Sequence, residues 1–192
     1  MHQNYPYYEH QEIHTLRELL DFAVSEYQGK SAIIYPKNKK EDITVSYKKL
    51  KEDIFALGTY LFSKGYTDCK IGVFGENSYE WIVIYFAATC GRNVIVPIDK
   101  DLDKASIEYL LSDSGCTVLI YSDLYADVIE DLGQSLHIDY INMKDIPEMM
   151  EKGNNLINEG HNEYVDQRVL PDDLASIVYT SGTTGRPMTD MR

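Results

Sequence analysis

Apolar residues recur along this chain with two alternating periods. Leu16, Leu19, Leu20, Ala23, Val24 and Tyr27 fall at helical spacing. Thr15 precedes them and Glu18 follows three places on, a capping box in which the hydroxyl takes one orphan N–H and the carboxylate another. Gly29 stands where such a helix ends. Residues 31–35 and 43–45 read as strands, with a turn over 36–40 between them. Ser46 caps a second helix whose Leu50, Ile54, Leu57 and Leu61 share one face, and Gly65 closes it.

From residue 70 the alternation is regular. Short apolar runs at 70–74, 93–98, 116–121 and 137–142 read as buried strands. Helical segments at 78–90, 103–113 and 123–132 separate them. Residues 144–163 are polar and rich in Asn and Gly, and read as a surface excursion with one short helix over 147–152. A last strand at 174–180 runs straight into Ser181-Gly182-Thr183-Thr184-Gly185. Strands of this length alternating with helices predict βαβ units: an α/β fold with a doubly wound, mainly parallel sheet and helices on both faces.

Composition supports a globular reading. Of 192 residues, 44% are apolar and 26% charged, which removes disorder, collagen and coiled coil as whole-chain descriptions. The net charge of −13 argues against nucleic acid and membrane surfaces as partners, since both are polyanions. Tyr outnumbers Phe by 16 to 5, which suits the margins of a core. Residues 30–51 hold seven Lys against Glu41 and Asp42, and a solvated face is the expectation there. Cys69, Cys90 and Cys116 are widely spaced with no CxxC, so a reducing, cytoplasmic setting with inert buried thiols is expected. The N-terminus lacks a basic stretch leading into an apolar one, so no signal peptide is expected. The longest apolar run, 81–90, is too short for a transmembrane segment.

The chemistry concentrates after the last strand. Open α/β sheets bind ligands at the carboxyl ends of their strands. Residues 180–185 carry two Gly and four hydroxyls there. Glycines let backbone N–H groups approach an anion, and hydroxyls add donors for phosphate oxygens. The string is not a Walker A loop, having no Lys after Gly185, and the chain contains no GxG. An ordinary Ser/Thr/Gly turn has the same composition.

The full string Tyr179-Thr-Ser-Gly-Thr-Thr-Gly-Arg-Pro187, with position 186 free, resembles the signature loop of the adenylate-forming superfamily, the AMP-dependent synthetases and ligases. Acyl-CoA synthetases, aryl-CoA ligases, luciferases and peptide-synthetase adenylation domains belong to it. Other stretches resemble it in the right order: 44–50, 71–81, 91–99 and 107–121. Glu80-Trp81 and Asp113-Ser114 lean toward fatty acyl-CoA synthetases, including long-chain fatty acid–CoA ligases. The resemblance implies that Thr180, Ser181, Gly182, Thr183, Thr184 and Gly185 hold the phosphates of ATP, with Mg2+ neutralising their charge. A carboxylate, a fatty acid by this leaning, would become an acyl adenylate with release of pyrophosphate, and coenzyme A would take the acyl group.

The chain departs from the family pattern in one place. Met188 stands where the family usually places the Lys of Pro-Lys-Gly, and Arg186 is the near cation. The family's later elements, including its Thr-Glu segment and C-terminal Lys domain, are not in these 192 residues. The expected organisation is an N-terminal arm at 1–14, a partial AMP-binding domain at 15–187 and a truncated tail at 188–192. Such a fragment of an acyl-CoA ligase is expected to be inactive alone, to contribute no catalytic residue of its own, and to self-associate through apolar surface left uncovered. Two alternatives remain open: a stand-alone non-catalytic module that binds a phosphate or nucleotide or docks a partner, and an adenylation domain feeding a carrier protein.

Other residues read blandly. His10 and His14, with Glu9 and Glu12, precede the helix cap and make no metal site. His137 is a structural strand residue, Trp81, Tyr85 and Phe86 are core, and Asp99 and Asp101 lie in a solvated loop.

Overall fold

The computed structural model describes residues 11–38, 40–132, 135–181 and 187–191, and of residues 181 and 187–191 the backbone alone. Helix α1 (Leu16–Tyr27) is capped by Thr15, whose hydroxyl accepts from the Glu18 N–H. The reciprocal bond falls one residue early: the Glu18 carboxylate accepts from the N–H of His14, not Thr15, at 2.7 Å. Gly29 does not take the left-handed conformation; Gly65, Gly115 and Gly160 do. The chain leaves α1 through a tight turn, Lys30 N–H to Tyr27 carbonyl, and enters strand β1 (Ser31–Asn38) at once.

Strand β1 pairs antiparallel with β2 (Glu41–Ser46), so the turn is shorter than the sequence predicts. Pro36 lies inside β1, a position open to proline because this two-stranded ribbon consists of edges. Ser46 caps α2 (Tyr47–Ser63), and Leu50, Ile54, Leu57 and Leu61 are all buried along it.

The centre is a four-stranded parallel sheet of β3 (Lys70–Phe74), β4 (Val94–Ile98), β5 (Val118–Tyr121) and β6 (Asp139–Asn142), in the order β4-β3-β5-β6. Helices α3 (Tyr79–Thr89), α4 (Lys104–Ser114) and α5 (Ala126–Leu132) connect the strands. Side chains alternate between the two faces. Ile71, Val73, Ile95, Val118 and Ile120 pack with the buried faces of α2 and α3. Phe74, Val96, Ile98 and Leu119 pack with those of α4 and α5. The doubly wound arrangement read from the sequence is therefore present.

One segment differs from expectation. Residues 146–158 form a 13-residue helix, α6 (Ile146–Asn158), with Pro147 in its first turn. It packs against α2, and Ile146, Met149 and Met150 join the core beside α2 and α3. A Cβ on Gly153 would lie 1.8 Å from the carbonyl oxygen of Ala56. Backbone meets backbone there, so the glycine that made the segment look like a loop is what lets the helix dock.

The chain then forms an antiparallel hairpin, β7 (Ile177–Ser181) with β8 (Pro187–Met191). The sequence reading had no strand after Pro187. Ser181 pairs with Pro187 and Thr180 with Met188. One parallel bridge, Ser176 to Ile95, places the start of this hairpin beside β4, with Ile95 N–H donating to the Ala175 carbonyl at 3.0 Å.

Candidate functional site

Strand β7 runs in the same direction as β4, so its carboxyl end points the way the parallel strands point. That end carries the Ser/Thr/Gly string. Of the six predicted phosphate-binding residues, Thr180 is exposed and Ser181 closes the strand. Gly182, Thr183, Thr184 and Gly185 lie outside the described residues, as does Arg186.

The root of the string is held from a helix. The Tyr179 hydroxyl donates to Asp113 Oδ2 at 2.7 Å, and the Tyr109 hydroxyl lies 3.4 Å from Asp113 Oδ1. The Tyr179 ring packs against the cluster around Phe74, Val96 and Ile107. The donor set fits a polyphosphate: backbone N–H groups and hydroxyls, while the carboxylate at the base, Asp113, is already engaged by phenol hydroxyls. Among the described residues, no group of three or more His, Cys, Asp and Glu is arranged to hold a metal ion.

A second polar region lies at the carboxyl ends of β3, β5 and β6, where successive crossovers leave the sheet in opposite directions. Asp123 Oδ1 accepts from Asn142 Nδ2 at 2.6 Å and from Lys144 Nζ at 2.9 Å. Hydrogen bonds from Lys144 and then Asn142 hold the Asp123 carboxyl below its usual range. Glu76 follows β3 and has a buried Oε2 with no partner among the described residues. A Cβ on Gly75 would sit 2.8 Å from Ser122 Cβ, so β3 and β5 touch closely here.

Two apolar grooves flank α1, of about 370 Å³ beside Val24, Phe55 and Val165 and about 330 Å³ beside Leu19, Phe22 and Phe86. Among the described residues, neither is lined by Tyr179 or Thr180. Within the Lys-rich stretch, Lys37, Lys48, Lys49 and Lys51 each meet a carboxylate, as expected of a solvated face. Cys90 and Cys116 are buried, and burial pushes their thiols up to about 12 and about 11. His14 is exposed, and His10 lies outside the described residues. His137 is exposed and precedes β6, so it is not the strand residue expected. Trp81, Tyr85 and Phe86 pack against the core, with Trp81 stacked on Tyr85 at 5.6 Å. Asp101 is exposed, and its N–H bonds to Asp99 Oδ1 at 3.0 Å in the loop after β4. Among the described residues no helix is long and apolar enough to cross a membrane.

The segment that anchors β7 was not legible as a site. Arg17 Nη1 donates to the carbonyls of Cys90 at 2.9 Å and Gln167 at 2.8 Å, and both guanidinium nitrogens reach the Tyr164 carbonyl at 3.3 Å. Nη2 also bonds the Val165 carbonyl. Tyr164 is fully buried over Gly58 and Gly91, and its hydroxyl donates to the Ala87 carbonyl at 2.8 Å. These bonds tie the connection between α6 and β7 to α1 and α3.

Comparison with known proteins identifies the family. The family described as AMP-binding enzyme matches residues 20–188. Gramicidin S synthase 2 of Brevibacillus brevis is 31% identical over 174 residues, 90% of this chain and 4% of that protein. Tyrocidine synthase 1 of Brevibacillus parabrevis is 27% identical over 187 residues, 97% of this chain and 15% of that protein. A solved Mycobacterium tuberculosis fatty acyl CoA synthetase superposes with a TM-score of 0.77 at 21% identity, over 93% of this chain and 34% of that one. The chain thus spans a small part of the relatives it matches. With its doubly wound sheet, its Thr180–Ser181 strand end and a family match over most of its length, the chain belongs to the AMP-binding enzyme family, the adenylate-forming domains.

Proposed function

We propose that this chain supplies the phosphate-gripping part of a domain that activates a carboxylate with ATP. The residues 180–185 would hold the polyphosphate of ATP, accompanied by Mg2+, while the carboxylate displaces pyrophosphate to form an acyl adenylate. The observation that carries the reading is the Tyr179–Pro187 string placed at the end of β7. Backbone N–H groups and hydroxyls fit the ground-state charge, and they stabilise the charge that shifts toward pyrophosphate as the bond breaks.

The acyl acceptor divides the family. The synthases of tyrocidine and gramicidin S, at 27% and 31% identity, favour an adenylation domain that feeds a carrier protein. The fatty acyl CoA synthetase neighbour, together with Glu80-Trp81 and Asp113-Ser114, supports a fatty acid substrate and coenzyme A as acceptor. We place the carrier-protein reading first, because its relatives share the greater identity.

The test is isotope exchange between pyrophosphate and ATP, run with panels of amino acids and fatty acids. It is best run on the longest translation product that contains this chain. Exchange with amino acids supports the first reading and exchange with fatty acids the second. A product that exchanges with neither panel and fails to bind ATP sinks both. The 192 residues alone span 34% of the solved synthetase, and they are expected to bind polyphosphate without sustained exchange.

A further inference from the structure

We propose that Asp113 is a positioning residue for the phosphate-binding string, acting through Tyr179; this rests on the reading of that string given above. The two residues are 66 positions apart and on different elements, yet the Tyr179 hydroxyl lies 2.7 Å from Asp113 Oδ2. That is a short bond from a phenol to a carboxylate, of the stronger, charge-assisted kind. Tyr179 immediately precedes Thr180 and Ser181, the last two residues of β7, so its placement bears directly on theirs.

The two partners differ in how firmly they are held. Asp113 sits in the last turn of α4, whose start is capped by Asp103 accepting from the Ser106 N–H at 2.8 Å. Ile107, Leu110 and Leu111 of the same helix are essentially inaccessible to solvent. Ser114 donates its hydroxyl to the Leu110 carbonyl at 2.6 Å, and Gly115, at φ 70°, turns the chain away through a left-handed residue. The Asp113 backbone is therefore fixed on both sides. Just before β7, the described backbone bridges to the four-stranded sheet at Ser176–Ile95, and Ile177 packs into the core beside Phe74 and Val96. The bond to Asp113 adds a directional polar tie to that packing, immediately before the predicted ligand-binding residues.

The experiment is calorimetric titration of the 192-residue chain with inorganic tripolyphosphate and with MgATP, alongside thermal unfolding. Tyr179→Phe and Asp113→Ala are each expected to weaken tripolyphosphate binding by about three- to tenfold, the loss of one strong hydrogen bond. Asp113→Asn keeps an acceptor without the charge and is expected to lose less than Asp113→Ala while keeping the parent's melting temperature. The double variant Tyr179→Phe with Asp113→Ala should bind no more weakly than the weaker single variant. If Asp113→Ala does not fold, the isosteric Tyr179→Phe decides. Parent-like binding by both single variants, or losses that multiply in the double variant, overturns this proposal alone. A parent chain that binds neither tripolyphosphate nor MgATP overturns the reading of the string and the proposal with it.

Discussion

The guanidinium of Arg17 meets Tyr164 twice: both terminal nitrogens reach its carbonyl at 3.3 Å, and the guanidinium carbon stands 5.7 Å over its ring. The same guanidinium lies 5.0 Å over the Phe55 ring and bonds the carbonyls of Cys90, Val165 and Gln167. Five donors in a planar fork serve these four carbonyls at once, one more than the three donors of a lysine can. Arg17→Ala leaves these part-buried carbonyls without donors and is expected to cost about 2–4 kcal/mol. At roughly 2–4 °C per kcal/mol, the melting temperature should fall by about 5–15 °C. Arg17→Lys should recover less than half of that. Thermal unfolding followed by circular dichroism reads both, and an unchanged midpoint for Arg17→Ala would contradict the assignment.

Gly153 makes a second, sharper case. Its missing Cβ would lie 1.8 Å from Ala56 O and 2.6 Å from the carbonyl carbon, both backbone atoms that cannot rotate away. Alanine, normally the better helix former, should here force α6 off α2 and destabilise by about 1–3 kcal/mol or more. Urea unfolding of Gly153→Ala tests this; a midpoint at or above the parent's would mean the two helices do not approach so closely. Gly160, with φ 95° and open space around it, should instead resist substitution through backbone strain alone.

Alkaline pH should weaken the fold through its buried thiols and Tyr66. Burial raises Cys90 to about 12, Cys116 to about 11 and Tyr66, with the help of Asp139, to about 12. In the unfolded chain these groups lose their protons near 9 and 10. Between those values and the folded ones the unfolded state binds fewer protons, so stability falls as pH rises. Urea midpoints should be level up to about pH 8.5 and decline from there to pH 11, less steeply in Cys90→Ala compared at equal starting stability. A level profile through pH 11 would show that these groups are not desolvated.

Met188 occupies the place where the family pattern supplies a lysine. Its backbone pairs with Thr180 across the hairpin, beside the first residue of the predicted phosphate string. Met188→Lys should tighten tripolyphosphate binding about three- to tenfold at low salt, with the gain shrinking as ionic strength rises. Tightening that is absent at low salt would argue that position 188 is remote from the phosphates.

Much of this structure was legible in the sequence because it is written locally. Period and spacing located α2, α3 and α4, and in the structure Ser46, Ser78 and Asp103 each make a side-chain cap bond at the helix start. The four parallel strands followed from short apolar runs. What escaped was written in tertiary contact. Residues 147–152 read as one short helix in a polar excursion, and the helix extends to Asn158 where Gly153 meets the Ala56 backbone of α2. The β8 strand has no apolar alternation and exists as the partner of β7. At the site, the motif announced itself through residue types at fixed spacing. Asp113, by contrast, carries no mark that it meets Tyr179, and Arg17 recognises carbonyls, which every residue possesses.

Arg17 and its carbonyl partner on Gln167 are separated by 150 positions. At ordinary rates of roughly 5–20 residues per second, a ribosome needs about 8–30 s to bridge that interval. Until then the first helix carries a cation with three of its four acceptors, on Tyr164, Val165 and Gln167, still to be made. The helices and sheet between them have long had time to assemble. The stretch leading to the phosphate string thus docks onto helices and strands made before it, and its arrival completes the seating of the first helix.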